Sequence, residues 1–390
     1  MKPLRVAFDA RDLTASAQRG MVRYIVGLAR HLPASGVRVT LFHRAREPLN
    51  AAHLAGLGCE VVGLRDMSGL AWEQGAVPLA LARGGFDLYH APAERGVPLA
   101  APCPVVLTIH SATSHSYRDL IQRGKLPGPV SRYLGYDPAR ANRIWAAYTR
   151  LQLRRANHFF TVSEFARDEL VRLMRLPPSR VTVTPLALPE AFTHQRDDAA
   201  GRQVYGRLGL RPPYLLYVGG FEPHKNVPGL FPVLNAVRRV RPDLQLVIVG
   251  TGSAPSELIT GAAAVGLVAG RDVVFHSDLR DDLVHVYDGA AALISMSWRE
   301  SFGVPFLEAM SRGLGVVASG WGAAGEVVGE AGELVDPRDP DAAAAALERV
   351  LADPTRYSVA GRAQVAKFTW ERTAAQTATV YRSLVGRGTP

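Results

Sequence analysis

The stretch Arg299-Glu300-Ser301-Phe302-Gly303-Val304-Pro305-Phe306-Leu307-Glu308-Ala309-Met310 decides how the rest of the chain is read. The apolar run at 292–297 before it reads as a buried parallel strand. Gly303 and Pro305 mark a tight loop, and residues 306–312 read as the first turns of a helix with proline near its start. Glu300 is thereby placed just past a strand end and Glu308 on the early helix. Ligands of open α/β sheets bind at that edge, and phosphates are drawn to helix N-termini by free N–H groups and the dipole. Two carboxylates eight residues apart across such a loop can face one ligand. A Glu in a first helical turn also simply complements the dipole, so the spacing leaves both readings of Glu308 open.

A chain of 390 residues is too long for one ordinary core and suits two domains. Its start, Met1-Lys2-Pro3-Leu4-Arg5-Val6-Ala7-Phe8-Asp9, holds too short an apolar run for a signal peptide, and no stretch approaches the roughly 20 apolar residues of a membrane span. Cys59 and Cys103 offer neither a disulfide framework nor a metal-ligand spacing. A cytoplasmic enzyme is expected, with the inner face of the membrane as a peripheral location. The net charge of +10 sits in the first half: residues 1–200 hold 26 Lys+Arg against 16 Asp+Glu, and residues 201–390 hold 19 of each. Aromatic interleaving and nucleic-acid reader motifs are absent, so no nucleic-acid partner is expected. An anionic membrane surface or a phosphorylated lipid suits the basic excess better, and an Arg-rich solvated surface explains it too.

Taken in order, residues 4–8 read as a first buried strand, followed by a polar loop and a helix of period 3.6 entered at Gly20. Residues 87–92 and 105–110 each read as a strand ending in His. His110, at the carboxyl end of a parallel strand, is placed to hydrogen-bond a ligand, whereas His90 reads as a cap or a packed side chain. Residues 124–138, rich in Gly, Pro and Tyr, read as a loop. Residues 139–156 read as a basic amphipathic helix with Ile144, Ala147, Tyr148 and Leu151 on its apolar face, which fits either a lipid surface or the cover of a sheet. Ser163 is an N-cap candidate for a helix running to Met174. After a turn-rich linker, residues 214–218 form a strand that stops at Gly219 and Gly220, with Lys225 just before Asn226, a cap for the next helix. Such glycines let a ligand reach the backbone, and the ammonium can neutralise a diphosphate. Residues 246–252 form another strand ending in glycines, Gly250 among them, where a nucleotide can lie against the backbone.

The run E-S-F-G-V-P-F-L-E-A-M resembles the signature of the retaining GT-B glycosyltransferases of family 4 (glycosyl transferases group 1): a Glu, seven residues, then a second Glu. Thr161-Val162-Ser163-Glu164-Phe165, Glu222-Pro223-His224-Lys225-Asn226 and the segments at 313–319, 325–329 and 334–337 extend the resemblance over most of the chain. It implies an α/β fold of two Rossmann-like domains facing a cleft: an acceptor-binding domain at 1–195, a nucleotide-sugar-binding domain at 196–368, and a terminal helix at 369–390 crossing back to the first. It further implies that Glu300 lies beside the donor sugar, that Glu308 holds the ribose, and that Lys225 binds the phosphates. Backbone groups of Ser301, Phe302, Gly303 and Val304 would meet sugar or phosphate, Gly20 would approach the donor phosphate or the acceptor, and His110 would touch a sugar hydroxyl. Two departures stand out: His224 replaces the family's usual Arg, and Ser111 follows His110 where the family has Asp.

The activity implied is transfer of a sugar, with retained anomeric configuration, from a nucleotide-sugar to a hydroxyl of a glycan, a lipid-linked glycan or a small acceptor. GDP-mannose is the favoured donor and a UDP-sugar the next. Neither a cofactor nor a metal is expected, since basic residues and the helix dipole would replace the cation. A sugar-nucleotide 2-epimerase shares this fold, but no clear acid/base set appears in the first domain. A phosphorylase-like enzyme would need a longer chain. A catalytically weak nucleotide-sugar-binding or regulatory module is the alternative from another class, which the departures at His224 and Ser111 keep open.

Overall fold

The computed structural model describes residues 2–13, 20–47, 49, 51–112, 143–252, 254–279 and 281–386. The loop read at 124–138 and the first residues of the basic helix lie outside these. The described residues form two compact units: one takes those up to 112, 143–187 and 369–386, and the other takes 188–368.

The first unit is built on β1 (Leu4–Asp9), β2 (Val37–Arg44), β3 (Glu60–Leu64), β4 (Leu88–Ala91), β5 (Val105–Thr108), β6 (His158–Thr161) and β7 (Val181–Val183). They lie in the order β3-β2-β1-β4-β5-β6-β7, and every pair is parallel. The second unit repeats the plan with β8 (Tyr214–Val218), β9 (Leu246–Gly250), β10 (Val273–Ser277), β11 (Ala290–Ser295), β12 (Gly315–Ser319) and β13 (Gly332–Val335) in the order β10-β9-β8-β11-β12-β13. Parallel strands are covered on both faces and therefore read as unbroken apolar runs. Leu246, Val247, Ile248 and Val249 are all buried, as are Leu293 and Ile294. Each sheet is a Rossmann-like arrangement whose strand order reverses once, between β1 and β4 and again between β8 and β11. At such a reversal the neighbouring loops diverge to opposite faces and leave a crevice at the carboxyl ends of the strands.

Several local readings hold in detail. Ser163 Oγ accepts from Ala166 N at 3.0 Å and caps the helix Glu164–Met174. His90 is a packed side chain: it is fully buried, with Nε2 2.6 Å from Thr108 Oγ1 and Nδ1 2.5 Å from Tyr381 Oη. Burial, helped by nearby His110, pushes its pKa down to about 3, so the ring is neutral. The helix at Arg143–Arg155 keeps Tyr148 on its inner side as expected but turns Leu151 outward. Leu151 is 48% exposed, while Gln152 is buried and donates to Glu73 Oε2 at 3.2 Å, beside Tyr148 at 2.8 Å. A buried carboxylate needs hydrogen-bond donors, so the polar pair takes the inner side and the leucine is left outside. Among the described residues no helix is long and apolar enough to cross a membrane.

Two contacts tie the segments that follow the sheets to their units. Phe192, from the segment that follows the first sheet, is buried and meets the Tyr287 ring edge-on at 5.1 Å in the second unit. The final helix, Trp370–Gly386, belongs to the first unit, where the Trp370 ring lies on Gly27 of the helix Gly20–His31. A Cβ on Gly27 would come within 2.5 Å of that ring. Gly27→Leu is therefore expected to lower stability by about 1–3 kcal/mol, the usual cost of overpacking. A urea midpoint equal to the wild type's would show that the helix does not pack there.

Candidate active site

In the second unit the loops after β8 and β11 are stitched together by main-chain and side-chain hydrogen bonds. Trp298 N donates to His224 O at 2.8 Å, and Asn226 Nδ2 donates to Met296 O at 2.9 Å. Asn226 was expected to cap a helix; instead it adopts the left-handed region at φ 48° and spends its side chain on this cross-loop bond. Asn tolerates that conformation better than most residues, which explains its use here.

The stitching sets Lys225 opposite Glu300. Lys225 Nζ lies 2.8 Å from Glu300 Oε1 and 3.0 Å from Oε2, and Ser297 Oγ donates to Oε1 at 2.9 Å. Behind the carboxylate, Ala323 N donates to Glu300 O at 2.9 Å. A Cβ on Gly322 (φ +122°) would stand 2.5 Å from that carbonyl, so glycine is required for the approach. Burial raises the Glu300 pKa, but the charge and hydrogen bond of Lys225, with Ser297, outweigh it and hold the carboxyl below its ordinary value. Glu300 is thus an anion kept in a mostly buried place by one ammonium. At His224, the position of the family's usual arginine, burial first and then neighbouring Lys225 push the pKa down to about 4, so the ring of the ligand-free chain is neutral near pH 7.

Lys225, Glu300, Gly219, Gly303, Pro305 and Phe306 line a small cavity of about 40 Å³ at the carboxyl ends of β8 and β11. Gly303 (φ +91°) turns the chain into the helix Val304–Ser311, and a Cβ there would strike the Phe306 ring at 2.4 Å. The helix N-terminus, with Val304 first, therefore opens beside Lys225. The side chains of Ser301 and Phe302 are engaged elsewhere. Ser301 Oγ accepts from Arg299 Nη1 at 3.1 Å, and the buried Phe302 meets Phe368 edge-on at 5.6 Å.

Five more expected site residues stand apart from that cavity. Glu308 is fully buried, and its Oε2 accepts from Tyr287 Oη at 2.6 Å. Gly250 is not open backbone here, because the Phe221 ring covers it: a Cβ on Gly250 would lie 2.1 Å from Phe221 Cζ. Gly220 Cα, for its part, faces the Glu222 carboxylate. His110 and Gly20 belong to the first unit. His110 lies two residues past β5, with Nε2 donating to Pro92 O at 3.0 Å and the ring edge-on to Tyr24 at 4.9 Å. Burial pushes its pKa down to about 4. Gly20 opens its helix with nothing within 4 Å of a Cβ placed on it.

Sequence reasoning did not single out Ser297 or Tyr287. Ser295 and Ser297 alternate at the end of an otherwise apolar run, a readable sign of one polar side turning toward the carboxyl edge. Tyr287 carried no such signal. Among the described residues no three His, Cys, Asp or Glu side chains come together as a metal site.

Residues 18–191 match the family model Glycosyltransferase Family 4, and residues 206–365 match Glycosyl transferases group 1. The O-antigen chain mannosyltransferase B of Escherichia coli is 34% identical over 238 residues, 59% of this chain and 61% of that protein. The chain thus spans less than two thirds of the length of that relative, as it does of other similar relatives. Among solved structures, sucrose-phosphate synthase from Thermosynechococcus elongatus superposes with a TM-score of 0.71 at 22% identity, over 99% of this chain and 100% of the other. Anabaena HepE, crystallised in complex with UDP and glucose, gives 0.71 at 17% identity over 98% and 100%. These likenesses establish the GT-B fold. With matched models running through both sheets and a sugar-transferase relative at 34% identity, the chain belongs to the glycosyltransferases that the Family 4 and group 1 models describe.

Proposed function

We propose that the chain is a retaining glycosyltransferase whose second unit holds a nucleotide-sugar, GDP-mannose in the first instance and a UDP-sugar next. The observation that carries this reading is the Lys225–Glu300 pair at the crevice between β8 and β11, beside a helix N-terminus. Without ligand, Lys225 is the counterion of Glu300. A diphosphate would draw the ammonium to itself and release the carboxylate to accept from hydroxyls of the donor sugar. The ammonium and the N–H groups around Phe302–Val304 would then stabilise charge building on the leaving phosphate, the role that a metal plays in other sites. Glu308 would take the ribose, its orientation set by Tyr287. With His224 and His110 neutral, no histidine supplies a charge. The proton of the attacking hydroxyl would leave with the help of a phosphate oxygen on the same face. The mannosyltransferase relative supports mannose, and the HepE complex supports a UDP-sugar. The acceptor would be a hydroxyl on a glycan, a lipid-linked glycan or a small molecule, reached in the cytoplasm or at the inner membrane face.

Melting of the purified chain with GDP, UDP, ADP and dTDP tests the donor. A ligand at 100 times its dissociation constant stabilises by about 2.7 kcal/mol, a visible shift. One nucleotide should shift the wild type; Lys225→Met should lose most of that shift, and Tyr287→Phe should lose part of the preference for the ribonucleotide over its deoxy form. A shift indifferent to Lys225→Met would contradict the assignment.

Acidity offers a second check. Because both histidines have pKa values near 4, kcat/KM should be flat between pH 6 and 8. A limb centred near 6.5 would mean that a histidine titrates in catalysis. In Lys225→Met, burial is opposed mainly by the Ser297 hydrogen bond, and the folded pKa of Glu300 should rise above the unfolded one. The carboxyl is then tolerated only when protonated, and the melting temperature should fall as pH rises from 5 to 8. The wild type, with its depressed Glu300 pKa, should lose this contribution only on acidification.

A further inference from the structure

The amino ends of the first sheet carry a cavity that no step of the proposed transfer uses. It encloses about 560 Å³ between the starts of β5, β6 and β7 and the last turns of the helix Trp370–Gly386. That volume lies within the roughly 300–1,000 Å³ usual for a small-molecule site. Pro104 lines the cavity and His110 follows the far end of the same strand, so roughly 20 Å of extended chain separates it from the carboxyl edge.

Its polar side is built around one guanidinium. The tight turn Pro178–Arg180 leads into β7 and delivers Arg180 over the Phe159 ring at 5.3 Å. Arg180 Nε donates to Asn157 O at 3.1 Å, and Nη2 donates to Ala156 O. Arg155 stands behind, giving Nη1 to Asn157 Oδ1 at 3.2 Å and its other nitrogens to the carbonyls of Leu99, Ala101 and Cys103. Among the described residues neither guanidinium has a carboxylate partner. Asn157 Oδ1 also accepts from Val105 N at 2.9 Å, which leaves its amide nitrogen to donate. Pro104, Val380 and Leu384 form an apolar wall.

The balance of charge decides what fits. Two full positive charges stand against the carboxyl ends of two helices, Arg143–Arg155 and Trp370–Gly386, each worth about half a charge of opposite sign. The sum is positive, so a cation is repelled and an anion attracted. A guanidinium already held by carbonyls and a ring loses little freedom on meeting an oxyanion. The apolar wall adds the burial of a ring or short chain, which an inorganic ion lacks. We infer that this cavity is a binding site for a small organic anion, an oxyanion head on an apolar body, seated on Arg180 and against the terminal helix. Phosphate and carboxylate heads share this chemistry, and the inference does not rest on the transferase reading. Val380, Ser383 and Leu384 surround Tyr381 on that helix, and Tyr381 Oη lies 2.5 Å from His90 Nδ1, so a bound ligand braces the helix against the sheet.

The test titrates the full chain calorimetrically with phenyl phosphate, benzoate, inorganic phosphate and benzyl alcohol. Ser179→Asp is the main variant, because Ser179 is exposed on the turn and a carboxylate there opposes an anion without disturbing the packing. Arg180→Gln, which also gives up the bonds to Ala156 and Asn157, is the second, with Arg180→Lys to restore the charge. Phenyl phosphate or benzoate should bind more tightly than inorganic phosphate and benzyl alcohol, and the tighter of the two identifies the head. Ser179→Asp should weaken that binding about ten-fold or more, and the bound ligand should slow amide exchange over residues 380–384. No binding of either organic anion, binding untouched by Ser179→Asp, or inorganic phosphate binding as tightly would overturn the site. The nucleotide-induced melting shift should be the same in Ser179→Asp as in the wild type, so either site can fail without the other.

Discussion

A carboxylate and an ammonium 75 residues apart in the chain share one place because β8 and β11 are neighbours in the sheet. Had β11 followed β10 in space as it does in sequence, Glu300 would stand at the far side of the sheet from Lys225. The reversal of strand order makes the crevice, and the pair fills it. The hydrogen bonds from Trp298 N to His224 O and from Asn226 to Met296 O then hold the two loops at one separation. A buried charge is costly unless it is paired, so the loops and the ion pair hold one another in register.

The same constraint appears in the first unit with different residues. There the carboxyl edge beside β1 is filled by Arg11 held between Asp9 and Glu73, and the nearby helix turns Tyr148 and Gln152 toward the second carboxylate. The contrast is chemical. Among the described residues Lys225 has one carboxylate partner, Glu300, reached by a flexible stem. Arg11 is forked between two acids and packed under Gly96, an arrangement that resists exchange.

Much of this was legible in the chain. Apolar runs marked the strands, Ser163 announced its cap, and the Glu300 and Lys225 segments pointed to the crevice. What escaped reading depended on tertiary neighbours. Nothing local says that Asn226 would spend its amide on Met296 rather than on a helix, or that Phe221 would lie across Gly250. The helix at Arg143–Arg155 was misread because periodicity ranks leucine above glutamine, whereas the buried Glu73 reverses that order. The local pattern left two readings of Glu308, a dipole partner or a ligand group; the structure adds Tyr287 as a buried partner that neither anticipated.

The central claim is that Lys225 exchanges Glu300 for a diphosphate. A crystal structure of the chain with the nucleoside diphosphate that it binds tests this most directly. The account predicts Lys225 Nζ within about 3 Å of a phosphate oxygen and withdrawn from Glu300, with a ribose hydroxyl in reach of Glu308. A nucleotide bound elsewhere, with the Lys225–Glu300 pair intact, would contradict it.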